Sequence, residues 1–168
     1  MDNIFFIGLM GAGKTTIGRL LAKQMGKYFY DSDVEIERKT GVKIPLIFEL
    51  EGEAGFRKRE TAVIEELSQL KNIVMATGGG AVLLPENRAF LKNNGKIIYL
   101  RAKVNDLYQR TRNDKSRPLL QGDNVEQKLE RLYIERHPIY TSLADYIVDT
   151  GAQSANEITN HIEQMLAK

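Results

Sequence analysis

The residues best suited to chemistry form a glycine-rich run near the start of the sequence. Residues 8–15 read Gly-Leu-Met-Gly-Ala-Gly-Lys-Thr, which matches the phosphate-binding pattern GxxxxGK followed by Ser or Thr. In such a loop, backbone N–H groups and the positive end of the following helix surround phosphate oxygens. Lys14 is expected to reach the outer phosphates, and the Thr15 hydroxyl to bind Mg²⁺. We predict that a nucleotide is bound by six consecutive residues: Gly11, Ala12, Gly13, Lys14, Thr15 and Thr16.

A nucleotide site of this kind also needs a carboxylate near its metal ion. The third predicted strand ends in Thr77 and supplies none, whereas the second is followed by Asp31-Ser32-Asp33. We expect Asp31 to hold Mg²⁺ through a water molecule, and Asp33 to reach toward an acceptor substrate. An equally good interpretation is that Asp33 only caps a helix predicted to begin at Val34.

Three further segments are candidates for binding the acceptor. Arg57 lies on a predicted helix, and Arg136 precedes Pro138 at a predicted helix end. Two converging guanidinium groups would suit a carboxylate, although exposed helix arginines are the alternative interpretation. The three glycines Gly78, Gly79 and Gly80 follow a predicted strand, where they would leave backbone N–H groups open to a ligand.

The elements that must position these residues follow from the apolar pattern. Short apolar runs predict strands at 3–8, 28–30, 73–77, 96–100 and 146–149. Helical spacing predicts helices at 14–25, 34–40, 45–50, 54–70, 85–93, 104–111 and 125–136. A last helix opens with the capping box formed by Ser154 and Glu157. The alternation predicts an α/β fold with a five-stranded parallel sheet flanked by helices, and ligands beyond the carboxyl ends of its strands.

The composition excludes several classes of protein. With 24 Lys plus Arg against 22 Asp plus Glu among 168 residues, the net charge of +2 argues against a nucleic-acid partner. No cysteine is present, which excludes disulfides. No apolar run is long enough for a membrane span, and no secretory signal is evident, so we expect a cytoplasmic protein without a membrane partner. We expect one domain over 1–168 and a monomer.

Taken together, the motifs resemble the shikimate kinase family over essentially the whole chain. In order they are GLMGAGKTTIG at 8–18, DSD at 31–33, IFELEGEAGFRKRE at 47–60, TGGGAV at 77–82, RPLL at 117–120 and RHPIY at 136–140. The first is shared by many kinases, but the combination is specific to this family. The resemblance implies a three-layer P-loop kinase fold with ATP and Mg²⁺ as cofactors. It also implies transfer of the ATP γ-phosphoryl group to the 3-hydroxyl of shikimate.

The resemblance further implies roles for individual residues. Asp33 would hold the 3-hydroxyl and accept its proton, while the glycine segment and the arginine pair Arg57 and Arg136 would bind the acceptor. The remaining implied roles are orientation of Arg57 by Glu60, walls of the pocket from Phe48 and Phe56, contact with the transferred phosphate by Arg117, and contacts with the base end of the nucleotide by Arg110 and Gln153. The polar stretch at about 112–124 would be a lid, and about 33–61 a substrate-binding helical segment.

Two other functions remain as alternatives. A gluconate kinase or a nucleoside monophosphate kinase would share the phosphate loop and the lid, but would not need GGGAV together with the arginine motifs. A nucleotide-dependent switch without catalysis would hydrolyse ATP slowly and without an acceptor. A signalling GTPase is disfavoured because the sequence has no NKxD-like segment.

Overall fold

The protein is built around a parallel β-sheet. A computed structural model describes residues 2–112 and 124–168. Its strands are β1 (Asn3–Ile7), β2 (Tyr28–Asp31), β3 (Ile73–Ala76), β4 (Gly95–Arg101) and β5 (Tyr146–Asp149). They form one sheet in the order β2-β3-β1-β4-β5, and every neighbouring pair is parallel. The five predicted strands are confirmed, each within one residue at either end.

Helices flank this sheet. Those in the described ranges are α1 (Lys14–Met25), α2 (Ser32–Thr40), α3 (Ile44–Ser68), α4 (Pro85–Asn94), α5 (Val104–Thr111), α6 (Val125–Leu143) and α7 (Ala155–Leu166). Every residue of β1 and β3 is buried, because helices cover the sheet and leave these central strands no solvent-facing side. The predicted α/β fold is therefore confirmed. Within the same ranges, no helix is both long and apolar enough to cross a membrane.

The start of α2 decides between the two interpretations of Asp33. The helix begins at Ser32, and its N-cap is Asp31. One carboxylate oxygen of Asp31 accepts hydrogen bonds from the N–H groups of Asp33, at 2.9 Å, and Val34, at 3.2 Å. The interpretation of Asp33 as the cap is therefore wrong. Asp33 stands in the first turn of the helix instead.

Helix α6 does not stop before Pro138, as the sequence predicts, but continues to Leu143. Proline in a helix interior costs about 3 kcal/mol relative to alanine, mainly because it lacks an N–H donor and crowds the preceding turn. Burial of Tyr140 and Leu143 beyond the proline offsets this penalty. Arg136 consequently lies inside the helix, and its expected position at a helix end is wrong.

Helix α3 is interrupted at Gly52, whose backbone angles are φ 73° and ψ −178°. We call residues 44–51 the first arm and residues 53–68 the second arm. A bidentate ion pair joins the arms: Arg59 donates to both carboxylate oxygens of Glu51, at 2.7 and 2.8 Å. The separate helices predicted at 45–50 and 54–70 correspond to these two arms.

Candidate active site

Three of the sequence motifs lie side by side because the strands that precede them are neighbours. Strands β2, β3 and β1 are adjacent, and their carboxyl ends lead into residues 31–33, 77–80 and 8–15. A cavity of about 420 Å³ opens at this edge of the sheet. Its lining comprises Met10, Gly11, Gly13, Lys14, Thr15, Thr16, Asp31, Asp33, Val34, Glu37, Ile44, Thr77, Gly78, Gly79 and Arg110.

The glycine-rich loop has the backbone expected of a phosphate-binding loop. Gly13 is the N-cap of α1 with φ 99°, a conformation that few other residues adopt. Gly13 provides no side-chain cap for α1, and the N-terminus of a helix attracts anions through its backbone N–H groups. The buried Lys14 ammonium group donates to the carbonyl groups of Gly8 and, at 3.1 Å, Leu9. Its positive charge is thereby held over the loop.

Thr15 and Asp31 meet beside this loop. The Thr15 hydroxyl donates to Asp31 Oδ2 at 2.6 Å, while the other oxygen of the same carboxylate caps α2. A hydroxyl and a carboxylate are ligand types that Mg²⁺ accepts. The residues that the structure describes contain no group of three or more His, Asp or Glu side chains able to hold a metal. Mg²⁺ fits this pair, because in nucleotide sites it takes few protein ligands and completes its shell with phosphate oxygens and water.

Close packing explains why residues 78–80 are all glycine. A Cβ atom at Gly78 would lie 2.8 Å from Asp33 Oδ1 and 3.0 Å from Glu60 Oε2. One at Gly79 would lie 3.4 Å from Arg136 Nη1, and one at Gly80 would collide with the Arg57 guanidinium group. Each glycine therefore passes directly against a different charged group.

The two arginines do converge on this segment. Arg57 and Arg136 are both buried, although they are 79 positions apart in the sequence. Arg57 Nη1 donates to Glu60 Oε1 at 2.7 Å, one helical turn along the second arm of α3. Arg57 Nε also lies 3.4 Å from Glu53 Oε2. Exposed helix arginines, the alternative interpretation, are excluded for both residues.

Several buried polar atoms near the glycines lack hydrogen-bond partners. Within residues 2–112 and 124–168 they include Glu60 Oε2 and the Nε and Nη1 atoms of Arg136. Burial raises the pKa of the Glu60 carboxyl group, and the neighbouring Arg57 acts in the opposite direction. An unsatisfied buried donor on a charged group is costly. The two unpaired Arg136 donors are therefore suited to an anionic ligand that accepts their hydrogen bonds.

Aromatic side chains lie next to Arg57. The rings of Phe48 and Phe56 have centroids 4.9 Å apart, and the Arg57 guanidinium carbon lies 5.2 Å from the centroid of the Phe56 ring. Phe56 is buried and Phe48 half-buried. They provide an apolar surface beside the charged groups, which suits a ligand with a carbon ring.

Of the remaining predicted site residues, some lie at the cavity and others do not. Arg110 lines the cavity and donates to the carbonyl of Gly11 at 2.9 Å. Ala12 is buried within the loop. Gln153 is exposed between β5 and α7 and does not line this cavity. Arg117 and most of the predicted lid fall in 113–123, outside the described residues.

Sequence reasoning missed residues that complete the cavity. Glu37 and Ile44 both line it, and Glu37 Oε2 accepts a hydrogen bond from the N–H of Ile44 at 2.9 Å. Glu37 was open to discovery from the sequence, because it lies four residues after Asp33 and so on the same helix face. Ile44 gave no such signal, since its proximity depends on the turn between α2 and α3.

Comparison with known proteins identifies the family. The family model described as shikimate kinase matches residues 10–167. The chain belongs to the shikimate kinase family. It is 63% identical over 158 residues to the shikimate kinase of Thiobacillus denitrificans, covering 94% of this chain and 86% of that protein. It is 57% identical to that of Burkholderia lata, covering 98% of this chain and 89% of the relative.

Solved structures agree with this assignment. Shikimate kinase from Acinetobacter baumannii in complex with shikimate is 51% identical, with a TM-score of 0.98 over 99% of this chain and 93% of that one. Deoxyadenosine kinase from M. mycoides shares only 16% identity, with a TM-score of 0.64, and supports the P-loop kinase fold alone. Shikimate kinases are ATP-dependent kinases, so the prediction of a P-loop kinase is confirmed. The alternatives of gluconate kinase and nucleoside monophosphate kinase are not supported.

Proposed function

We propose that this member of the shikimate kinase family transfers the γ-phosphoryl group of ATP to the 3-hydroxyl of shikimate. The observation that carries the proposal is the pair of buried arginines, Arg57 and Arg136, which meet at the glycine segment next to the phosphate loop. A planar carboxylate is the natural partner of such guanidinium groups. Shikimate offers a carboxylate on a ring that also bears the hydroxyl to be phosphorylated.

The arginines and Asp33 would hold opposite ends of the acceptor. Arg57 and Arg136 bind the ring carboxylate, and Glu60 keeps Arg57 in place. Asp33 and Glu60 both approach Gly78 on its Cβ side, and Asp33 lines the same cavity as Lys14. Asp33 hydrogen-bonds the 3-hydroxyl and accepts its proton as the oxygen attacks the γ-phosphorus. The bond between the γ-phosphorus and the bridging oxygen breaks, and ADP leaves with that electron pair.

The residues around the nucleotide mainly neutralise the charge of its phosphates. Residues 11–16 surround the phosphates with N–H groups, and Lys14 adds a positive charge held by two backbone carbonyls. Positioning and electrostatic stabilisation account for most of the catalysis of phosphoryl transfer. Arg117 would add a further charge to the transferred group. Arg110 and Gln153 would contact the base end of the nucleotide.

Mg²⁺ would be bound at Thr15 directly and at Asp31 through water. The separation of 2.6 Å between Thr15 Oγ1 and Asp31 Oδ2 supports this assignment, because both oxygens face the same small space. When bound, the ion supplies positive charge to the β- and γ-phosphates.

The domain organisation, the location and the oligomeric state of the protein are also part of the proposal. One domain spans 1–168, with a substrate-binding helical segment at about 33–61 and a lid at about 112–124. The protein acts as a cytoplasmic monomer, and lid closure depends on ligands. Limited proteolysis tests the lid: cleavage within 112–124 should slow when ATP and shikimate are both present, and equal cleavage would contradict closure.

An acceptor panel tests the proposed activity. ADP release is measured with Mg·ATP and either shikimate, quinate, gluconate or a nucleoside monophosphate. We expect rapid release with shikimate and little with the others. Activity with another acceptor but not with shikimate would leave the phosphate loop assigned and overturn the pocket assignment. Slow release that ignores every acceptor would indicate a switch instead.

A further inference from the structure

A buried tyrosine holds the backbone of the glycine segment. Tyr140 is fully buried on α6, one helical turn beyond Arg136. Its hydroxyl donates a hydrogen bond to the carbonyl oxygen of Gly79. Burial raises the pKa of Tyr140 to about 12, so the hydroxyl remains a donor at every pH at which the enzyme is assayed.

The hydrogen bond controls more than the carbonyl that it contacts. A trans peptide group is planar, and its C=O and N–H point in opposite directions. Fixing the carbonyl of Gly79 therefore fixes the direction of the Gly80 N–H. Among residues 2–112 and 124–168, no hydrogen-bond acceptor is found for that N–H. This peptide also lies between the two arginines, since Gly79 faces Arg136 and Gly80 faces Arg57.

The ring of Tyr140 is held independently of its hydroxyl. Its centroid lies 4.9 Å from that of Tyr99, at an interplanar angle of 37°. The Tyr99 hydroxyl lies 2.9 Å from His137 Nδ1, and His137 stacks on Tyr133 with centroids 4.8 Å apart. A phenylalanine at 140 would keep this ring packing. The hydroxyl can therefore be removed without removing the ring from the core.

We propose that Tyr140 is a positioning residue for the acceptor. It holds the peptide between Gly79 and Gly80 so that the Gly80 N–H donates to an oxygen of the acceptor bound between Arg57 and Arg136. The inference deepens the proposed function and rests on it. Tyr140 itself does not touch the acceptor.

Kinetics of Tyr140→Phe test this role, with Tyr99→Phe as the matched control. Both variants remove one buried hydroxyl from the same aromatic cluster, but only the first releases the Gly79 carbonyl. Tyr140→Phe also removes the hydrogen bond between that hydroxyl and Arg136, so the Gly80 amide signal described below is needed beside the KM. Losing one well-oriented hydrogen bond corresponds to a roughly five- to tenfold change in affinity. We expect the KM for shikimate to rise by this factor in Tyr140→Phe, with the KM for ATP unchanged. Tyr99→Phe should leave the KM for shikimate unchanged, even when its melting temperature falls as much as that of Tyr140→Phe.

A second measurement does not require turnover. The chain contains only 14 glycines, so protein labelled with ¹⁵N-glycine gives a simple amide spectrum. Shikimate alone should shift the Gly80 amide signal strongly in the wild-type protein and in Tyr99→Phe, and weakly in Tyr140→Phe. Equal shifts in all three proteins would overturn the inference, as would equal increases in the KM values for shikimate and ATP. A wild-type protein that neither binds nor phosphorylates shikimate would instead overturn the proposed function.

Discussion

The phosphate loop and the acceptor pocket are built in opposite ways. The loop comes from one continuous stretch of chain, and its polar groups are paired within it or with the end of β2: Lys14 with the carbonyls of Gly8 and Leu9, and Thr15 with Asp31. The pocket draws on α2, both sides of the Gly52 interruption in α3, the turn after β3, and α6. In the pocket, buried atoms of Glu60 and Arg136 have no hydrogen-bond partner within the described ranges.

The difference shows which part of the enzyme depends on a ligand for its hydrogen bonds. A loop whose polar groups are already paired is formed before the nucleotide arrives, whereas the unpaired Arg136 donors of the pocket gain acceptors only when an anion occupies it. Changes in the loop should therefore act mainly on turnover, and changes in the pocket mainly on the affinity for shikimate. A ligand that binds only the folded state also stabilises it, so shikimate should raise the melting temperature even without ATP.

Removing the charge of the loop should have the largest effect. In Lys14→Met we expect turnover to fall about 10³-fold, because the positive charge opposite the transferred phosphoryl group is lost. Steady-state ADP release measures this loss. Calorimetric titration with shikimate alone is the control and should give the wild-type affinity. Turnover within tenfold of the wild type would break the contrast between loop and pocket.

Asp33 lies at the boundary of the two regions. Asp33→Asn keeps the shape of the side chain but not its basicity, so turnover should fall about 10²-fold while the affinity for ATP is retained. Turnover is measured by ADP release and ATP affinity by fluorescence titration. Unchanged turnover would remove Asp33 from the reaction, and the structure already excludes its alternative role as the cap of α2.

Replacing each of the two arginines tests the part of the pocket that binds the carboxylate. Arg57→Ala and Arg136→Ala should each raise the KM for shikimate about 50-fold, since each loses charge-assisted hydrogen bonds to the carboxylate. Their effects on folding should differ. Arg57→Ala leaves buried Glu60 without its 2.7 Å partner and should lower the free energy of unfolding by about 3 kcal/mol. Arg136→Ala should lower it less, because two of its nitrogens have no partner among residues 2–112 and 124–168.

Urea denaturation and steady-state kinetics on the same preparations separate these effects. The KM for ATP is the internal control and should change little in either arginine variant. Equal loss of stability in both would show that Arg136 is as fully paired as Arg57. The buried donors of Arg136 would then not need a ligand as their hydrogen-bond partner.

Gly80→Ala should have a smaller effect, about a tenfold rise in the KM for shikimate, the size expected for weakening one charge-assisted hydrogen bond. The added methyl group displaces the Arg57 guanidinium from its position beside buried Glu60, so the melting temperature should fall, but by less than in Arg57→Ala, because the guanidinium is still present at the end of a flexible side chain. Gly151→Ala is the matched control, because nothing lies within 4 Å of the position of its Cβ. A large loss of stability in Gly80→Ala would mean that the glycine serves the fold rather than the acceptor.

Much of the fold was predictable because its signals are local. Strands buried on both faces read as continuous apolar runs, and the capping box at Ser154 marks the start of α7. The predicted end of α6 at Pro138 is wrong for an equally physical reason. A proline rule describes an isolated helix, whereas burial of Tyr140 and Leu143 beyond the proline keeps this helix intact.

The site was predictable in its residue types more than in its arrangement. The phosphate loop is contiguous, so its function is visible in the sequence. The pocket is not: nothing local brings Gly80 against Arg57 or Tyr140 against Gly79. These contacts arise from the packing of α3 and α6 against the segment that follows β3. For that reason the sequence indicated the arginines as candidates but not their convergence.

The interruption of α3 has a use in enzyme redesign. The first arm contributes Ile44 to the cavity and Phe48 to the aromatic wall, whereas the second arm carries Arg57 with its partner Glu60. Gly52 separates the helical register of the two arms, so the first arm can be varied while the Glu51–Arg59 ion pair is kept. Libraries confined to residues 44–50 should alter which ring-bearing hydroxy acid is accepted while leaving the carboxylate-binding arginines in place.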